Sequence, residues 1–189
     1  MPRLFTGLEI PPDIARNLSL HRGGLSGARW IEPADYHVTL RFLGDVDGPT
    51  ARDAFELLAD SQREPVTVTL DQIACFGGDK PYSVHARVQP NPALIELQAE
   101  QERLMRRIGL APETRKFVPH VTLARLKGAQ PAAVAAYLSS RAILRSMSFT
   151  ARRFVLYSSR ASTGGGPYLV EAAYPLAGRA GLAIRGRTI

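Results

Sequence analysis

The chain has a single cysteine, Cys75, in 189 residues. No internal disulfide can form and no zinc site of paired cysteines exists. Cys75 itself reads as a small buried hydrophobe. No apolar run approaches the roughly 20 residues that a membrane helix needs. The first residues, Met1-Pro2-Arg3-Leu4-Phe5, pass directly into a strand pattern. A cytoplasmic protein with no leader and no membrane span is therefore expected. Acids are scarce in one half: residues 114–189 hold 12 Lys+Arg and one acid, Glu171, against 12 and 16 in residues 1–113. Lysine is scarce throughout, with 3 against 21 arginines. A basic half suits a polyanion, and planar Arg forks suit phosphate oxygens. His-x-x-x-His spacing, a Walker loop and Gly-x-Gly-x-x-Gly after a strand are all missing, which removes the commonest metal and nucleotide motifs.

What the chain does have is a repeated word. It holds only four histidines, and two of them open the same tetrapeptide, His37-Val38-Thr39-Leu40 and His120-Val121-Thr122-Leu123, 83 residues apart. Valine, threonine and aromatic neighbours favour a pleated, half-buried strand. Side chains alternate across a strand, so His37 and Thr39 share one face and Val38 and Leu40 the other, with the same division in the second word. A packed core needs only the Val/Leu half of such a word. It gives no reason to repeat an imidazole and a hydroxyl at the same offset. Two such strands facing one cleft supply an acid, a base and two hydroxyl donors, which suffices for attack on a phosphodiester. Which histidine gives and which takes the proton is left open by the residues alone.

By continued alternation Arg41 joins the His37/Thr39 face and is a candidate phosphate contact. Strict alternation puts Arg125 on the opposite, Val121/Leu123 face, unless a bulge turns it back. Trp30, Phe42 and Tyr157 are candidates for stacking a base, with core packing the stronger expectation for Phe42. His21 and His85 have no comparable partners in the sequence and read as surface or structural.

Punctuation along the chain gives the rest. Strands are expected at Arg3–Ile10, Tyr36–Leu43, Pro65–Phe76, Tyr82–Val88, Phe117–Leu126, Ser146–Tyr157 and Tyr168–Leu176. The last two are joined by a loop containing Gly164-Gly165-Gly166-Pro167. Helices are expected from Pro12 to about Leu20, over Thr50–Leu58, from Pro92 to Ile108 and over Pro131–Leu138. This mixture indicates an α+β fold. The spacing of the two words suggests a duplicated, bilobal domain over residues 1–176: two antiparallel sheets form a central groove, helices pack outside, and the lobes are related by a pseudo-twofold axis. Residues 177–189 read as a basic Gly/Arg-containing tail.

On these residues the chain resembles the two-histidine phosphoesterase superfamily, and within it the bacterial RNA 2′,3′-cyclic phosphodiesterases, historically called 2′-5′ RNA ligases. The likeness is carried by Arg3-Leu4-Phe5-Thr6-Gly7-Leu8, Trp30, His37-Val38-Thr39-Leu40-Arg41-Phe42-Leu43-Gly44, Phe117-Val118-Pro119-His120-Val121-Thr122-Leu123-Ala124-Arg125 and Leu156-Tyr157-Ser158-Ser159. It implies hydrolysis of RNA 2′,3′-cyclic phosphate ends to 2′-phosphomonoesters, with reverse 2′-5′ ligation as a companion activity. It also implies His37 as proton donor, His120 as proton acceptor, and Thr39, Thr122, Arg41 and Arg125 as substrate contacts. No cofactor and no metal are expected. The expected partner is RNA with a cyclic phosphate end, tRNA fragments among the candidates, and the protein is expected to be a monomer. The residues alone leave two alternatives open: a related phosphodiesterase acting on 2′-5′ oligonucleotides or small cyclic nucleotides, and a non-catalytic RNA-end-binding module.

Overall fold

A computed structural model of the chain describes residues 3–141, 143–159 and 166–178. The elements run β1 (Arg3–Glu9), α1 (Pro12–Ser19), β2 (Ala28–Trp30), β3 (His37–Asp45), α2 (Gly48–Leu58), β4 (Val66–Phe76), β5 (Ser83–Val88), α3 (Pro92–Arg107), β6 (His120–Leu126), α4 (Pro131–Arg141), β7 (Ile143–Ala151), β8 (Arg153–Ser159) and β9 (Tyr168–Pro175). Helix starts follow their sequence signals. Asp47 and Asn91 cap α2 and α3 by accepting hydrogen bonds from the backbone N–H of Thr50 and Leu94, and Gly109, at φ +83°, follows the last turn of α3. The apolar stripe of α3 buries Leu94, Leu97, Leu104 and Met105. Gln101 lies in the same buried stripe, and its side-chain oxygen accepts a hydrogen bond from the Thr6 hydroxyl of β1, while its amide nitrogen is buried without a hydrogen-bond partner among the described residues.

All pairings are antiparallel, and the strand order is β7-β4-β5-β6-β3-β1-β8-β9, with β2 against β6. The two sheets expected from the sequence are the two halves of this one nine-stranded sheet. They join where β3 meets β6, through the single pairing Val38↔Val121. Each half of the sheet mixes strands from both halves of the sequence: β4 and β5 stand between β7 and β6, and β8 and β9 continue from β1. The repeated words therefore sit at the centre, one on each side of the join.

The long strand expected over Ser146–Tyr157 is instead two strands broken at Arg152. The first, β7, forms an edge of the sheet against β4, and the second, β8, lies next to the opposite edge. A one-residue link can do this only if the sheet curves and brings its edges near each other at that end. The Leu176 N–H, just after β9, donates to the Arg152 carbonyl at 2.8 Å, in keeping with this. Phe154, Leu8, Leu70, Ile73, Leu123 and Leu156 are fully buried in the core, each worth about 1.5–3 kcal/mol of transfer free energy. No helix among the described residues is long and apolar enough to cross a membrane. Of the Gly/Arg tail and the Gly-rich loop, residues 179–189 and 160–165 lie outside the described residues.

Candidate active site

The two words have the same burial pattern along their first seven residues, half-buried and buried in strict alternation up to the leucine and then shifted by one. The shift is a bulge, and it falls at the same place in each. Gly7 pairs with Thr39 and Thr6 with Arg41, so Leu40 is skipped; His85 pairs with Thr122 and Val84 with Ala124, so Leu123 is skipped. A bulged residue inverts the facing of everything after it. Arg41 and Ala124 consequently turn to the buried side, and Phe42 and Arg125 turn to the histidine side.

This moves both arginines from where alternation puts them. Arg125 lines the same cavity as His37, Thr39, His120 and Thr122, a space of about 280 Å³. Arg41 is withdrawn: it is 6% exposed, ion-paired with Glu102 of α3, and donates to the carbonyls of Phe42 and Ala111. Its guanidinium holds the segment after α3 against β3 and is not directed at the two histidines. Phe42 takes the groove position instead and is 42% exposed, the reverse of the core role expected for it. Trp30 packs against Tyr137 at 5.9 Å as part of the core cluster. Tyr157 is buried with its ring 5.4 Å from that of His37.

The two imidazoles are held alike. Nδ1 of His37 lies 2.7 Å from the carbonyl of Asp35, and Nδ1 of His120 lies 2.7 Å from the carbonyl of Val118, in each case two residues upstream. A carbonyl only accepts, so Nδ1 carries the proton in both rings. Nε2 is the atom left for chemistry, with a lone pair when the ring is neutral. The single β3–β6 pairing, Val38↔Val121, sets the two words side by side and antiparallel, and His37, Thr39, His120 and Thr122 line one cavity.

Their surroundings differ. His37 sits among Phe5, Tyr157 and Tyr168, at ring distances of 5.0, 5.4 and 5.0 Å. Gly7 makes room for this arrangement, since a Cβ there would meet the Val38 carbonyl at 2.8 Å and the Tyr157 ring at 3.3 Å. His120 meets Phe76 at 4.9 Å and His85 at 5.3 Å. His85 is 3% exposed, stacked on Phe76 at 3.9 Å, with no hydrogen bond to its Nδ1. The sequence pointed to no partner for it. Its relation to His120 follows only from the β5–β6 register, and the one signal available was its place within a strand pattern.

Burial pushes His37 down to about 4; the Asp35 carbonyl works against that, and His120 and Arg125 add to it. Burial likewise lowers His120, opposed by the Val118 carbonyl and assisted by Arg125. His85 is pushed down to about 4 by burial and by His120. In the unliganded protein at neutral pH the three rings are therefore neutral, and Arg125, with no hydrogen-bond or ion-pair partner among the described residues, supplies positive charge beside them. Among the described residues no three His, Cys, Asp or Glu side chains cluster as metal ligands. The cavity can thus offer two hydroxyls and a guanidinium as donors to one tetrahedral anion, with two imidazole nitrogens beside it for proton transfer.

Comparison with known proteins gives the family and the fold. Residues 24–163 match the family model of the 2′-5′ RNA ligase superfamily. The RNA 2′,3′-cyclic phosphodiesterase of Aeropyrum pernix is 38% identical over 102 residues, 53% of this chain and 58% of that protein. That of Bacillus subtilis is 32% identical over 130 residues, 66% of this chain and 71% of that protein. The crystal structure of Escherichia coli LigT complexed with 3′-AMP superposes with a TM-score of 0.77 at 25% identity, covering 93% of this chain and 99% of that one. TT0787 of Thermus thermophilus has the same fold, with a TM-score of 0.80 at 21% identity over 94% of this chain and 99% of that one.

Proposed function

The chain belongs to the 2′-5′ RNA ligase superfamily, and from that premise we propose that it hydrolyses RNA 2′,3′-cyclic phosphate ends to 2′-phosphomonoesters by histidine acid–base catalysis without a metal ion. One observation carries the reading: two imidazoles, each pinned through Nδ1 to the carbonyl two residues upstream, line one cavity together with two threonines and Arg125. His120 Nε2 takes a proton from water as its oxygen attacks phosphorus. The bond from phosphorus to the 3′ oxygen breaks, and His37 Nε2 delivers a proton to that oxygen. The Thr39 and Thr122 hydroxyls donate to the non-bridging oxygens, and Arg125 faces the charge that grows on them. With a 5′-hydroxyl in place of water, the same pair joins a cyclic-phosphate end to it through a 2′-5′ bond: His120 takes the proton of the 5′-hydroxyl as its oxygen attacks phosphorus, the bond to the 3′ oxygen breaks, and His37 protonates that oxygen.

Incubating the protein, with chelator present, with an oligonucleotide ending in a 2′,3′-cyclic phosphate tests this directly. The expected product is the 2′-phosphate. A 3′-phosphate, or activity lost with chelator and restored by metal, contradicts the proposal.

The pH dependence has a defined direction. His37 must hold a proton to act as acid, and burial lowers its pKa in the free protein to about 4. The alkaline limb of kcat/KM, which reports the free enzyme, should therefore lie below the ~6.5 of an ordinary histidine. A bound phosphate brings negative charge beside the ring and favours its cation, so the alkaline limb of kcat should lie at higher pH than that of kcat/KM. Paired pH–rate profiles check this; coincident limbs, or a kcat/KM limb above neutral, would count against it.

A further inference from the structure

A second cavity of about 280 Å³ opens beside the catalytic one and shares Thr39, Phe42, Phe76, Tyr82, Arg115 and His120 with it. Its far wall is the segment from Glu113 to Val118, with Gln98 of α3. Two large rings stand open to solvent where the cavities meet: Phe42 is 42% exposed and Tyr82 58%, and Tyr82 is stacked on Phe76 at 6.0 Å and 19°. Exposed rings along a groove are the surfaces on which unpaired bases stack. At the rim, Lys116 is exposed and has no ion-pair partner among the described residues, and Arg115 is 75% exposed beside Glu113.

We infer that this second cavity holds the penultimate nucleotide of an RNA strand, with Tyr82 and Phe42 as its stacking surfaces, so that the site selects a strand end over a lone nucleoside cyclic phosphate. The inference rests on the reaction proposed above and adds the length of its substrate. Each cavity alone is at the small end of ligand sites, which run from about 300 Å³ upward. The second begins at Thr39 and His120, next to the reacting phosphorus, so its occupant is covalently continuous with the group being hydrolysed. A cyclic-phosphate end has both its 2′ and 3′ oxygens tied to phosphorus, and its chain continues only through the 5′ oxygen to the preceding nucleotide. The cations at the rim lie where the intervening phosphodiester leaves the groove.

The test compares kcat/KM for adenosine 2′,3′-cyclic phosphate with that for the ApA dinucleotide ending in the same group. The parent should prefer the dinucleotide by roughly 10-fold or more, within the range that one base–aromatic stack carries. Tyr82→Ala removes a stacking surface, and Gln98→Trp fills the cavity from its far side; each should lower the dinucleotide-to-mononucleotide ratio by at least about 5-fold, whatever happens to the absolute rates. A parent ratio near one overturns the inference and leaves the reaction standing. A parent preference that survives both substitutions overturns the placement in this cavity. Hydrolysis of neither substrate overturns the reaction itself.

Discussion

Replacing either histidine should abolish turnover without unfolding the chain. His37→Ala and His120→Ala are each expected to lower kcat for a cyclic-phosphate RNA end by roughly 10²–10⁴-fold, the usual span for a positioned acid or base. The double variant should lose much less than the product of the two, because neither proton transfer helps greatly once the other is gone. The fold should persist. Both rings are only half-buried, and the join between the halves of the sheet runs through Val38 and Val121, which are fully buried and untouched. Single-turnover rates measured beside far-UV circular dichroism separate the two effects. A near-parent rate from either single variant would show that the pair is structural.

Arg41→Ala should act on stability first. Its guanidinium is 6% exposed and is shared between the Glu102 carboxylate and the carbonyls of Phe42 and Ala111. Removing it leaves a carboxylate that is 19% exposed without its counter-charge, with only the Glu113 backbone N–H still donating to it. Breaking a buried pair from one side costs about 3–5 kcal/mol. Taking both charges out, as in Arg41→Met with Glu102→Leu, should cost less than Arg41→Ala alone, because no charge is then left without its partner. Denaturant unfolding of the parent and the two variants checks the order. A direct phosphate role predicts the opposite outcome: Arg41→Ala would leave stability within about 0.5 kcal/mol of the parent, as surface changes do, and the loss would appear in KM.

Arg41 also shows where sequence reasoning stops. Alternation assigns it to the histidine face and assigns Arg125 away from it, and one extra residue in each strand reverses both. The bulges at Leu40 and Leu123 are set by pairing with β1 and β5, strands far away in the chain, so nothing within the tetrapeptides announces them. The same inversion carries Phe42 out of the core and into the groove. His85 is a related case: within its own strand it has no partner, and only the register of β5 on β6 sets it against His120. The break at Arg152 is of the same kind, since β7 and β8 read as one run of strand formers and are divided by which neighbours they pair with.

By itself the sequence determined the strands and helices that have strong local signals, the α+β class, and the pairing of an imidazole with a hydroxyl on one face of each repeated word. Those features depend on spacing, propensity and capping over a few residues, which a linear reading contains. Tertiary structure alone decided that the two words meet at the centre of one sheet, that Arg125 enters the cavity while Arg41 braces its wall, and that burial lowers the pKa of every histidine beside the groove. These depend on register, curvature and desolvation, which arise only when distant segments pack and exclude water.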